Sequence, residues 1–209
     1  MGLSTIILAA GQGTRMRSRL PKVLQPLAGR PLLAHVVECA VALEADDVCV
    51  VYGHGAEAVR NEFPGDSLRW ALQAEQLGTG HAVQQAMPET PDNNRVLILF
   101  GDVPLLTPAT CQRLLDETPA SDMAVLTVDL EDPTGYGRII RENGNVSCIV
   151  EEKDAGPEEK AVREINTGVL VCPAAKLKGW LDNLGNDNAQ GEYYLTDAIA
   201  MAVNDGVTV

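Results

Sequence analysis

Leu8-Ala9-Ala10-Gly11-Gln12-Gly13-Thr14-Arg15-Met16-Arg17-Ser18-Arg19-Leu20-Pro21-Lys22 is the stretch on which the fold of this chain turns. An apolar run from Ile6 to Ala10 ends in glycines, and closely spaced cations follow it. Residues 1–37 contain no Asp or Glu, although the whole 209-residue chain carries a formal charge of −13. Arg15, Arg17, Arg19, Lys22 and Arg30 therefore form a local positive segment in a negative protein. A strand that ends in small residues and glycine lets backbone N–H groups come close to phosphate oxygens. The segment points to a compact anion, and the glycines to a phosphate. Familiar nucleotide fingerprints do not fit. Gly11 to Met16 lacks the last glycine of the dinucleotide motif, and no Gly-Lys-Ser/Thr exists for a P-loop. Arg15, inside the loop, can hold a phosphate bidentately, and Lys22, after Pro21, acts as a point charge. Arg17, Arg19 and Arg30 read as field or surface cations.

Outward from this loop, short apolar runs alternate with amphipathic stretches. Strands are expected over residues 5–9, 48–52, 69–72 and 95–100, and helices over 31–43, 56–63, 79–87 and 107–117. Thr107 is the expected cap of the last of these, with Pro108 in its first turn. This β-α order predicts a mostly parallel sheet with helices on both faces. The second half is more mixed. Strands are expected over 123–129, 138–141, 146–151 and 164–171, and helices over 174–184 and 194–203. Asn143-Gly144 is a strong hairpin signal, which suggests a small antiparallel β lobe laid over the parallel sheet. Residues 206–209 look like the start of a further strand, as in a longer parent protein.

The acidic balance argues against broad nucleic-acid binding but leaves room for one polyanion in a basic pocket. No segment is apolar enough to span a membrane. The apolar run near the N-terminus precedes its cations, the reverse of a signal peptide, and Ile6 breaks the myristoylation pattern. The five cysteines are odd in number and widely spaced, and read as reduced thiols of a cytoplasmic protein. Neither they nor the three histidines have zinc-ligand spacing.

Two further constellations carry chemistry. Phe100-Gly101-Asp102 ends a parallel strand, where open α/β sheets collect ligands, and a carboxylate there beside polyphosphate suits Mg²⁺. Gln73-Ala74-Glu75-Gln76-Leu77-Gly78-Thr79-Gly80 lies between a strand and a helix. Its amides and backbone match the donor–acceptor edge of a pyrimidine, and Thr79 is equally placed to cap the helix. The second half offers Gly135-Tyr136-Gly137-Arg138, Glu151 with Lys153, Glu164-Ile165-Asn166-Thr167-Gly168 and Glu192-Tyr193-Tyr194-Leu195-Thr196-Asp197. From chemistry alone these read as structural, although Glu151 and Asn166 are able to hydrogen-bond sugar hydroxyls.

Taken in order, these motifs resemble the sugar-nucleotide pyrophosphorylase family, specifically the uridylyltransferase domains of the bacterial bifunctional uridyltransferase/acetyltransferases. The resemblance rests on Leu8 to Met16, Leu20-Pro21-Lys22-Val23-Leu24, Gln73 to Ala82 and Gly101-Asp102-Val103-Pro104-Leu105. Asp132 to Arg138, Ile165-Asn166-Thr167-Gly168 and Glu192 to Asp197 complete it. It runs over nearly the whole chain and implies a Rossmann-like nucleotidyltransferase, spanning residues 1–209 as one domain. The implied reaction joins UTP and N-acetylglucosamine 1-phosphate into UDP-N-acetylglucosamine and pyrophosphate with Mg²⁺, supplying peptidoglycan and lipopolysaccharide synthesis in the cytoplasm. By position, Leu8, Ala9, Ala10, Gly11, Lys22, Phe100 and Gly101 would contact the nucleotide. Gln73, Gly78 and Thr79 would recognise uridine, and Gly137, Glu151 and Asn166 would hold the sugar side. Asp102 would bind the metal, while Arg15 and Lys22 would be catalytic through their charge. Phe100 stands where the family often has Tyr, so any hydroxyl contact there is lost. The resemblance also implies a second metal ligand, an Asn just past Val209, and an acetyltransferase β-helix of hexapeptide repeats, none of which occur here. Full-length relatives form trimers largely through that β-helix, so a monomer is open to this chain. A nucleotide-sugar-binding module with little turnover, and a pyrophosphorylase for another sugar phosphate, are the alternative readings.

Overall fold

The computed structural model describes residues 2–11, 13, 16, 18, 20–53, 56–65 and 67–209. Its centre is β1 (Leu3–Ala9), flanked by two parallel neighbours, β4 (Asp47–Tyr52) and β6 (Arg95–Phe100). Ile6 sits opposite Cys49 on one side and Ile98 on the other. The parallel β5 (Arg69–Leu72) closes this edge beyond β4. The inner strands are apolar runs rather than alternating patterns because both of their faces are covered. Ile6, Leu8, Cys49 and Ile98 pack with α3 (Thr79–Ala86), α6 (Ala174–Asp182) and α7 (Asp197–Asn204). Ile7, Val50, Leu97 and Leu99 point the other way, onto α1 (Leu32–Ala42) and α4 (Pro108–Glu117). Each such buried aliphatic side chain is worth roughly 1.5–3 kcal/mol. In that second layer Cys39 of α1 and Cys111 of α4 meet with their sulfurs 4.0 Å apart.

The antiparallel half begins at β10 (Glu164–Pro173), which pairs with β6, with β7 (Ala124–Asp129) and with β8 (Arg138–Glu142). β8 turns into β9 (Asn145–Val150) through Asn143 and Gly144, whose φ values of 52° and 86° form the expected tight hairpin. The hairpin does not lie over the parallel strands. It extends the same eight-stranded sheet, in the order β5-β4-β1-β6-β10-β8-β9 with β7 paired to β10. Mixed sheet and helices on both faces therefore agree with the sequence, and the lobe grows sideways.

Three local features escape the sequence pattern. A two-stranded ribbon, β2 (Pro26–Leu27) with β3 (Arg30–Pro31), turns on Ala28 and Gly29, and a short helix, α5 (Pro157–Lys160), follows β9. The last helix starts at Asp197, not near residue 194, because the backbone before it is spent elsewhere. Tyr193 donates to the Leu77 carbonyl at 2.8 Å and accepts from the Gly80 N–H at 2.8 Å. Of the remaining expectations, α3 ends at Ala86 and the chain runs on through a 3-10 turn, Met87–Glu89, that accommodates Pro88. α2 (Ala56–Asn61) is a shorter version of the expected helix.

Candidate active site

Ala9, Tyr52, Leu72 and the residue before Gly101 all reach the same edge of the sheet, the carboxyl ends of its parallel strands. An open cleft of about 740 Å³ lies there. Leu8, Ala9, Ala10 and Gly11 form its floor, and Phe100, Lys22 and Asp102 line it beside them. At Gly11 a side chain would meet nothing within 4 Å, so the backbone is open to an approaching ligand. Gly13 has φ +59°, and a Cβ there would come within 2.6 Å of Lys22 Cβ. A glycine is thus what lets the loop close down on the lysine. Gly101 lies behind the cleft, where its N–H donates to the Leu8 carbonyl at 2.9 Å and its Cα packs near Ala9 and Leu33. Arg15, Gln12, Thr14, Arg17 and Arg19 fall outside the described residues. Arg30 is exposed and pairs with Glu38 at 2.9 Å, away from the cleft, as a surface cation should.

Lys22 and Asp102 come from segments 80 residues apart, and the Lys22 ammonium donates directly to Asp102 Oδ2. Both side chains keep solvent access, at 37% and 27%. An ion pair this exposed contributes little to stability. Its two members are instead the charges a bound polyphosphate and its counter-cation would each claim. Among the described residues there is no cluster of three or more His, Cys, Asp or Glu arranged to hold a metal. A single carboxylate lining the cleft still fits Mg²⁺, which is commonly held by one or two carboxylates with substrate phosphates and water.

The third wall is the loop from Gln73 to Gly80. Gln73 is only 3% exposed, and its side-chain Nε2 lies 3.0 Å from the Gly78 carbonyl and 3.0 Å from His81 Nδ1. Gly78 has φ +116°, and a Cβ there would stand 2.8 Å from the Tyr193 nitrogen. α3 starts at Thr79 itself, with Gly78 at the cap position, so Thr79 is not the capping residue. Its hydroxyl accepts from the Leu195 N–H at 3.0 Å. Glu192 also reaches the cleft. Through Glu192 and the Tyr193 and Leu195 backbone, the start of the Glu192–Asp197 motif joins this wall, a placement its local sequence does not reveal.

Gly137, Glu151 and Asn166 gather as a separate group beside the cleft, in the antiparallel half. The Gly137 carbonyl accepts from the Asn166 N–H at 2.9 Å, and a Cβ on Gly137 would lie 3.3 Å from Glu151 Oε2. Asn166 Oδ1 is engaged by the Gly168 N–H at 2.8 Å. Glu151 accepts from the Thr196 hydroxyl at 3.0 Å. Burial pushes the Glu151 carboxyl above its ordinary range; the Thr196 bond opposes this, and Asp154, Asp197 and Glu192 reinforce it. Asp197 is raised as well, by burial and then by Asp154. Tyr194 and Asp154, joined by a 3.2 Å hydrogen bond, complete a polar cluster around Glu151, of which only Asp154 lies outside the motifs quoted above. Gly168 packs against the Phe100 ring and so joins this group to the cleft. Arg138 is buried and bound to Glu152 at 2.7 Å, which makes it a structural member of its motif.

A cleft at the carboxyl edge of a mixed α/β sheet, with a backbone floor, a lysine–aspartate pair and an amide-bearing wall, defines a nucleotidyltransferase. The chain belongs to the family of MobA-like NTP transferase domains, which matches residues 5–156. It is 59% identical over 208 residues to "Bifunctional protein GlmU" of Aromatoleum aromaticum, and 58% identical over 210 residues to the protein of that name from Pseudomonas aeruginosa. These alignments cover 99% and 100% of the chain but 46% of each relative, so the chain spans about half their length. Among solved structures, a UDP-glucose pyrophosphorylase complexed with UDP-glucose superposes with a TM-score of 0.76 at 18% identity, covering 98% of this chain and 88% of its own. A putative glucose-1-phosphate thymidylyltransferase from Bacillus anthracis gives 0.77 at 20% identity, covering 98% and 84%. Both share the fold.

Proposed function

We propose that this chain is a uridylyltransferase that makes UDP-N-acetylglucosamine and pyrophosphate from UTP and N-acetylglucosamine 1-phosphate. The observation that carries this reading is the convergence of Lys22, Asp102 and the Gln73–Gly80 loop on one backbone-floored cleft. High identity to GlmU proteins over this chain's length supports the choice of uridine and of the sugar.

In the proposed reaction a phosphate oxygen of the sugar phosphate attacks the α-phosphorus of UTP. The new P–O bond forms as the bond to the β-phosphate oxygen breaks, and the electron pair leaves on pyrophosphate. A phosphate monoester is already an anionic nucleophile, so no serine or cysteine need be activated. Catalysis is positioning plus charge stabilisation. The floor from Leu8 to Gly11, with Phe100 beside it and Gly101 supporting Leu8 from behind, holds the nucleotide. Gln73, Gly78 and Thr79 hold its base, and Gly137, Glu151 and Asn166 the sugar. Lys22 exchanges its carboxylate partner for a phosphate oxygen, and Arg15 offsets charge on the transferring group. Asp102, released by Lys22, would hold Mg²⁺, whose positive charge, when bound, offsets charge on the triphosphate.

A pyrophosphate-release assay over several nucleoside triphosphates and sugar phosphates, with and without Mg²⁺, tests the proposal. The expected result is Mg²⁺-dependent release confined to UTP with N-acetylglucosamine 1-phosphate. Tight UTP binding with no release would make the chain a binding module instead. Arg15→Ala is expected to slow release by roughly 10²–10³, the usual worth of one electrostatic donor. A near-native kcat in that variant removes Arg15 from the mechanism.

A further inference from the structure

We propose that His81 is a positioning residue that, together with the Gly78 carbonyl, locks the Gln73 side chain with its carbonyl oxygen as the atom left to read a nucleotide base. The inference rests on the reading of Gln73–Gly80 as the base-recognition loop. Chemistry fixes the amide's orientation. The Gly78 carbonyl can only accept, so the end of the Gln73 amide 3.0 Å from it must be the NH₂. That nitrogen can only donate, so His81 Nδ1, also 3.0 Å away, must accept, and the imidazole carries its proton on Nε2. Both amide hydrogens are then spent on protein acceptors. Turning the amide over would set Gln73 Oε1 against the Gly78 oxygen, and against the Nδ1 lone pair as well in this tautomer.

Neither acceptor is free to drift. Gly78 is pinned by its positive φ and by the Tyr193 backbone, and His81 is carried in the first turns of α3, whose Gly80 N–H is itself bound to the Tyr193 carbonyl. Among the described residues no donor reaches Gln73 Oε1, while Gln73 lines the cleft. A fixed lone acceptor suits a base that offers an imide N–H, as uracil does at N3. Cytosine presents a lone pair at that atom and would face the carbonyl unfavourably. His81 thus acts on base choice without touching the base.

The test is equilibrium binding of UTP and CTP by calorimetry, in the native chain, His81→Leu and His81→Asn. Asn offers its Oδ1 near the place of Nδ1, whereas Leu offers no acceptor. The native chain is expected to prefer UTP. His81→Leu is expected to lower the UTP-to-CTP affinity ratio roughly tenfold, about the worth of one hydrogen bond, and His81→Asn to restore it. General damage to the site would weaken both nucleotides and leave the ratio alone. A native preference for UTP that survives intact in His81→Leu overturns the role of His81 while leaving the base loop standing. A native chain without preference overturns the base-loop reading and this inference with it. A measurement that needs no variant is hydrogen exchange of the Gln73 side-chain amide by NMR. Two protected protons are expected, and a freely exchanging pair overturns the lock even if His81→Leu does not fold.

Discussion

The ion pair at the cleft and those of the antiparallel half have different surroundings. Around the parallel half's cleft, the charged pair Lys22–Asp102 joins two partly solvated side chains that a ligand can reach. In the antiparallel half, Arg138 is tied to Glu152 at 2.7 Å and Arg141 to Glu164 at 2.8 Å, and Lys153 is bound to Gln190 at 2.6 Å. Those cations are committed within the protein. Carboxylates there gather around Glu151 instead, where burial makes ionisation costly. What sets Lys22–Asp102 apart is that both members line the cleft, within reach of a ligand.

The comparison can be broken most sharply at Lys22. Lys22→Ala should lower kcat by roughly 10²–10³. Because the pair is solvated, urea unfolding of the same variant should scarcely change. A variant that loses stability but keeps its rate would reverse the assignment of the two halves. Gly168, at the seam, should behave the other way. Its φ is +86° and a Cβ there would run into the Phe100 ring, so Gly168→Ala should cost about 1–3 kcal/mol in a denaturant titration. An unchanged midpoint would mean that the seam is not tightly packed.

The smallest effect is expected at Glu151. Burial raises its folded-state carboxyl above the unfolded one. The folded chain therefore holds a proton that the unfolded chain has already released. Stability from this group is full below the ordinary carboxylate range and is lost as pH rises through the raised value. Glu151→Gln should therefore melt higher, relative to the native chain, at about pH 7.5 than at about pH 4. A difference that is flat with pH would remove burial as the dominant cause.

The parallel half was legible because its signal is local. Ile6 to Ala9, Val48 to Val51 and Val96 to Leu99 are short apolar runs, rich in β-branched residues, of the kind a strand covered on both faces shows, and each forms one. The Thr107 cap was equally plain, its hydroxyl accepting from the Thr110 N–H at 3.2 Å. Asn143-Gly144 announced the hairpin but not its place, since joining a sheet's edge and lying over its face need the same turn. Thr79 looked like a cap because Ser and Thr so often are. Its hydroxyl went to Leu195, 116 residues away, and no local pattern carries such a partner. His81 was invisible for the same reason: its significance lies in which atom of Gln73 it leaves free.

The bonds between Tyr193 or Leu195 and the Leu77–Gly80 segment set an order for the birth of the protein. A ribosome makes the cleft floor within the first dozen or so residues and its parallel neighbours by residue 100. The wall from Gln73 to Gly80, though synthesised early, cannot be finished until the chain has grown more than a hundred residues further. Until then the Gly80 N–H and the Leu77 carbonyl lack their final partners. The wall is therefore completed only once the C-terminal helices are made, together with the face of the parallel sheet that α6 and α7 cover.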